Sequence, residues 1–216
     1  ITQGMNNVTY LKENDELTLL GGLHMTVLHA WDEDVEKLNV NLLNNGSMIF
    51  KLAGAEESML FCADVDNEME QIILDRHKEE LDVDYVQLGH HGNWGMTTNF
   101  YDYLNPKAVF FDVDGTLVSH KSKSVPKSAK EAVEQLREKG IKVLLCTGRH
   151  IHELKNMPTN GMEFDGYVIL NGQMGLDENQ KMIFSNRQPD VSCNMPPARL
   201  PEYREDSGYA HLLTSP

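Results

Sequence analysis

Two carboxylates one residue apart close an apolar strand in this chain, where Ala108-Val109-Phe110-Phe111 runs into Asp112-Val113-Asp114-Gly115-Thr116. The end of a strand is where an open α/β sheet places its ligand crevice. Carboxylates this close take opposite acid and base roles only if their surroundings pull their pKa values apart. Gly115 lets the chain turn sharply where a Cβ would crowd a bound group. A second polar cluster, Thr147-Gly148-Arg149, ends the apolar run Ile141-Lys142-Val143-Leu144-Leu145-Cys146. The pair Arg149-His150 either touches an anion or is a solvated helix start.

The elements that must position these groups are legible around them. Ser124-Val125-Pro126 opens a helix, since proline is tolerated in a first turn, and Ala129, Ala132, Val133 and Leu136 give it an apolar stripe. Gly140 ends it as a left-handed cap, and residues 141–146 form the next strand. Strand, helix and strand make a βαβ unit with parallel strands and a right-handed crossover. A helix over 151–156, a third strand Tyr167-Val168-Ile169-Leu170 and a turn over 175–180 follow. From Gln188 onward periodicity is lost and five of the eight prolines occur, which predicts an irregular tail.

The first part of the chain predicts short strands over 17–20 and 25–28 around a Gly21-Gly22 turn, then a hairpin of 48–52 and 58–62. Met69, Ile72, Ile73 and Leu81 recur near helical spacing, and Asp84-Tyr85-Val86-Gln87-Leu88 returns to a strand before Gly89-His90-His91-Gly92. The acidic residues from Asp64 to Glu70 suit a solvated helix start, where carboxylates favour the dipole.

Composition bounds the partners. The chain has 216 residues, 40% of them hydrophobic, enough for one α/β domain or two small ones. A formal charge of -14 argues against a nucleic-acid groove and offers no polybasic membrane patch. Residues 1–105 hold 19 acidic and 5 basic side chains, and 106–216 hold 14 of each, a step that suggests two parts of different origin. No run of about 18 apolar residues occurs. Cys62, Cys146 and Cys193 are widely spaced without a CxxC pair, which fits a reducing compartment, with Cys62 and Cys146 expected in the core. A soluble, cytoplasmic protein is expected. The chain opens on Ile1 rather than Met, which suggests sequence removed or left out upstream.

Strand, Asp112-Val113-Asp114-Gly115-Thr116, capped helix, strand and Thr147-Gly148-Arg149 together resemble the haloacid dehalogenase-like (HAD) hydrolases. Ser119-His120-Lys121 and Val168-Ile169-Leu170-Asn171-Gly172 resemble its branch acting on sugar phosphates and similar metabolites (Cof-type). The resemblance runs from about residue 107 to 187. It implies that Asp112 attacks phosphorus to form an aspartyl phosphate and that Asp114 protonates the leaving oxygen and later deprotonates water. It also implies that Thr147 hydrogen-bonds a phosphate oxygen with the Gly148 amide nearby. Mg2+ on Asp112 and Asp114 would screen charge repulsion. The lysine and the Gly-Asp-x-x-x-Asp segment that complete such a site do not appear after Gly172, so weakened metal binding is expected.

Asn44-Asn45-Gly46-Ser47 leading into two strands, then Phe61-Cys62-Ala63-Asp64, a helix and Gly89-His90-His91-Gly92, resembles the later part of a metallo-β-lactamase-fold hydrolase of the competence-protein type. That resemblance implies late metal ligands at Asp64 and at His90 or His91, a donor set suited to Zn2+ or Mn2+. The fold's His-x-His-x-Asp-His signature is absent, and the imidazoles are equally readable as polar loop residues.

The expected fold class is therefore α/β. A three-layer Rossmann-like parallel sheet forms the HAD-like half, preceded by an αβ metallo-β-lactamase-like half. The expected divisions are 1–106, 107–187 and the tail 188–216. The expected function is Mg2+-dependent hydrolysis of a small phosphorylated metabolite. The alternatives are a metal-dependent hydrolase built on Asp64, His90 and His91, or a catalytically incomplete mosaic acting as a binding module.

Overall fold

The computed structural model describes residues 8–92, 95–113, 117, 125–154 and 162–186. Asp114, Gly115, Thr116, Ser119-His120-Lys121, Cys193, the side chain of His91 and the tail 188–216 lie outside the described residues.

Among the described residues, ten strands form one mixed sheet in chain order: β1 (Glu16–Thr18), β2 (His24–His29), β3 (Ile49–Ala53), β4 (Ser58–Phe61), β5 (Tyr85–Gln87), β6 (Ala108–Asp112), β7 (Lys142–Cys146), β8 (Gly166–Ile169), β9 (Met174–Asp177) and β10 (Met182–Ser185). Strands β1 to β4 pair antiparallel, β4 to β8 pair parallel, and β8 to β10 pair antiparallel again. The α/β class is thus met by a sheet whose parallel centre carries antiparallel flanks. The division expected between residues 106 and 107 falls between β5 and β6, which are hydrogen-bonded neighbours.

Helices connect these strands: α1 (Glu33–Leu38), α2 (Leu42–Asn45), α3 (Glu70–His77), α4 (Thr98–Tyr101), α5 (Lys127–Glu138) and α6 (Ile151–Leu154). Parallel strands taken in sequential order with right-handed crossovers send successive helices to one face. On that face the register row Leu60, Val86, Val109 and Val143 is buried, and it shares a core with Val35, Ile73, Phe100, Val133 and Leu154 from the helices. The opposite face holds a smaller buried cluster of Met25, Val27 and Ala30 and, beside it, half-buried apolar side chains. There Phe50 stacks on Phe61 at 4.7 Å, and Tyr85 meets Phe110 edge-on at 6.3 Å.

Carboxylates pin the starts of the parallel strands. Asp84 accepts from the Ser58 amide at 2.8 Å and pairs with Lys107 at 2.8 Å, and these two partners, Lys107 first, hold its carboxyl below the usual range. Asp165 accepts from the Val143 amide at 2.9 Å. Both contacts lie opposite the strand ends that carry the candidate chemistry, so they set register rather than function.

Several boundaries follow from local chemistry. Gly140 takes φ +80° after α5, as a left-handed cap requires. The hairpin β3–β4 closes where the Gly54 amide donates to the Glu57 carbonyl at 2.8 Å. Helix α1 was not expected; Asp32 caps it by accepting from the Asp34 and Val35 amides at 2.9 and 3.0 Å. The turn expected over 175–180 is narrower, because residues 174–177 pair with β8 and the reversal is left to Asp177, which accepts from the Asn179 and Lys181 amides. Among the described residues no helix is long and apolar enough to cross a membrane.

Candidate active site

Asp112 is the last residue of β6, and it pairs in register with Cys146, the last residue of β7. Thr147 therefore stands one residue beyond, on the adjacent strand end. The sequence places both at strand ends, and the parallel ladder brings those ends together. Asp112 is half-buried and Thr147 is buried.

The loop after β7 is held by its own hydrogen bonds. The Thr147 amide donates to the Val168 carbonyl at 2.9 Å, and the Arg149 amide donates to the Thr147 hydroxyl oxygen at 3.2 Å. A hydroxyl that accepts from an amide keeps its own proton to donate, the role needed toward an anionic oxygen. Gly148 is exposed between them. The His150 amide donates to Glu153 at 2.8 Å, and the His150 Nδ1 accepts from the His152 amide at 3.2 Å. Burial lowers the His150 pKa, and the neighbouring His152 ring, stacked at 5.0 Å, acts in the same direction. Burial pushes the Cys146 thiol up to about 12, with the Asp112 charge adding to it. This cysteine is half-buried beside Asp112, whereas Cys62 is fully buried, as expected of a core residue.

The second constellation is arranged differently from its sequence pattern. Asp64 is exposed in the turn after β4, and its amide donates to the Ser47 hydroxyl at 3.3 Å. His90, at φ +43°, turns its Nδ1 to Asp66 instead. Asp66 is 1% exposed, accepts from the Asn41 side chain at 2.8 Å, and donates its amide to Asn45 Oδ1 at 3.0 Å. Asn45 in turn accepts through its carbonyl from His29 Nε2 at 2.6 Å. Among the described residues no three His, Cys, Asp or Glu side chains gather as a metal cage. Sequence reasoning missed Asp66. Its two-residue offset from Asp64 is invisible until the turn after β4 is built, although Val65 as a buried neighbour was a signal that the acidic run is not wholly solvated.

The model of the haloacid dehalogenase-like hydrolases matches residues 109–195. Over 87 residues, 40% of this chain, the sequence is 31% identical to the "Putative phosphatase YkrA" of Bacillus subtilis (strain 168). The match takes in 33% of that protein, so the chain spans about one third of the length of the curated relative. Among solved structures, the HAD subclass IIB sugar phosphatase BT4131 is 36% identical, with a TM-score of 0.31 over 36% of this chain and 30% of that one. A "Putative metal-dependent hydrolase" from Parabacteroides distasonis covers 67% of this chain and 60% of its own at 15% identity and a TM-score of 0.43.

Proposed function

We propose that the strand ends of β6 and β7 form a phosphate-monoester hydrolase centre acting on a small phosphorylated metabolite. The observation that supports it is the register pairing of Asp112 with Cys146, which brings the strand ends that carry Asp112 and Thr147 next to each other in the part of the chain that matches the HAD model. An Asp112 oxygen would attack phosphorus as the ester P–O bond breaks, giving an aspartyl phosphate and an alkoxide that takes its proton from Asp114. Water, deprotonated by Asp114, then releases inorganic phosphate and restores Asp112. Thr147 and the Gly148 amide would hold the non-bridging oxygens. The oxygen donors of Asp112 and Asp114 suit Mg2+, which would supply charge screening at the phosphoryl group.

Phosphate release from p-nitrophenyl phosphate with Mg2+ tests this. Asp112→Asn should remove at least about 99% of the rate, because the covalent step has no substitute nucleophile. An Asp112→Asn protein as fast as the wild type would end the assignment.

A further inference from the structure

The turn after β8 touches the Thr147-Gly148-Arg149 loop in a way that the chemistry above does not use. Leu170 and Asn171 both hold φ +54°. A bulky residue such as Leu170 keeps that conformation only where its surroundings hold it there, and such backbone tends to cluster at functional sites. Here the holding contacts run to the loop itself, since the Leu170 amide donates to the Arg149 carbonyl at 3.3 Å and the Asn171 amide to the Thr147 carbonyl at 3.4 Å. Side chain and backbone act together. A Cβ placed on Gly148 would stand 2.6 Å from Asn171 Oδ1, so the Asn171 carboxamide occupies the space that a side chain at 148 would need. Gly148 does not have a positive φ. Its lack of a side chain therefore serves this approach and not the backbone conformation.

We propose that Asn171 is a positioning residue: its carboxamide, packed on Gly148, fixes the Thr147 hydroxyl relative to Asp112. The inference rests on the phosphatase reading above. It makes Gly148→Ala a second way of doing what Asn171→Ala does, because the short Asn171 side chain would swing away from a new methyl group without disturbing the strands.

The experiment is a mutant cycle on the full chain. Asn171→Ala and Gly148→Ala should each lower kcat for p-nitrophenyl phosphate about tenfold, and the double variant should be no slower than either single one. In a Thr147→Val background neither should cost more than about twofold, because the group they position is gone. Losses that multiply, or an Asn171→Ala protein with unchanged kcat, would overturn the proposal. Melting temperature gives a readout independent of turnover: Gly148→Ala should lower it by about 2 °C in the wild type and leave it unchanged in Asn171→Ala. Equal shifts in both backgrounds would show that the two residues do not touch. A wild-type protein that releases no phosphate but keeps this coupling would sink the phosphatase reading alone.

Discussion

Asp112 and Cys146 end adjacent parallel strands as register partners, and the carboxylate reinforces burial in pushing the thiol up to about 12. Only the thiolate is alkylated, so Cys146 should react very slowly with iodoacetamide at pH 8. Asp112→Asn removes the nearby negative charge and should speed that reaction. The gain should stay below about tenfold, because burial is the larger cause and remains. Peptide mapping of the alkylated protein measures it, and an unchanged Cys146 rate would mean that the two side chains are not neighbours.

Thr147 keeps its proton available because its oxygen already accepts from the Arg149 amide. A hydrogen bond to a charged oxygen contributes about 1.5–3 kcal/mol, or roughly 10- to 150-fold in rate if it is made in the transition state. Thr147→Val, which keeps the shape without the hydroxyl, should lose turnover within that range, and Thr147→Ser should recover most of it. Steady-state phosphate release separates the two; a Val variant as active as the Ser variant would remove the hydroxyl from the mechanism.

The parallel centre of the sheet was legible because its strands are short apolar runs that end in polar residues, as at Asp112, and its helix ended at a glycine with no alternative to the left-handed cap. Helix α1 was harder to see, since its six residues bury only Val35 and its start depends on the Asp32 cap. The partner of His90 could not be chosen from sequence. Asp64 and Asp66 are chemically equivalent there, and only the turn after β4 buries one and leaves the other exposed. Asn171 stood out only as part of the motif Val168 to Gly172, and its contact with Gly148 was not legible because it joins loops from two strands.

Asp66 should be a structural keystone of the first half. Its carboxylate accepts from the Asn41 side chain and meets the His90 imidazole, and the two converge on it from different loops. Hydrogen bonds to a charged group contribute about 1.5–3 kcal/mol. Asp66→Ala should therefore fall near that range in urea unfolding, and Asn41→Ala, which removes one bond, nearer about 1 kcal/mol. Equal small losses for both would show that Asp66 is hydrated.

His29 should make stability fall on mild acidification. It is 1% exposed, its Nε2 donates to the Asn45 carbonyl, and its Nδ1 has no hydrogen-bond partner among the described residues. A second proton would have to sit on Nδ1 in buried space, and burial accordingly lowers the pKa from 6.5. The unfolded chain then binds more protons than the folded one wherever pH lies between the folded value and 6.5. The contribution of His29 is complete above that window and is lost as pH falls below about 6.5 toward the folded pKa. His29→Gln keeps an N–H for Asn45 without a titrating ring, so its unfolding free energy should decline less than that of the wild type between pH 7.5 and 5.5. Parallel pH profiles from urea titrations of the two proteins would show that His29 is protonated as easily folded as unfolded, which its buried Nδ1 forbids.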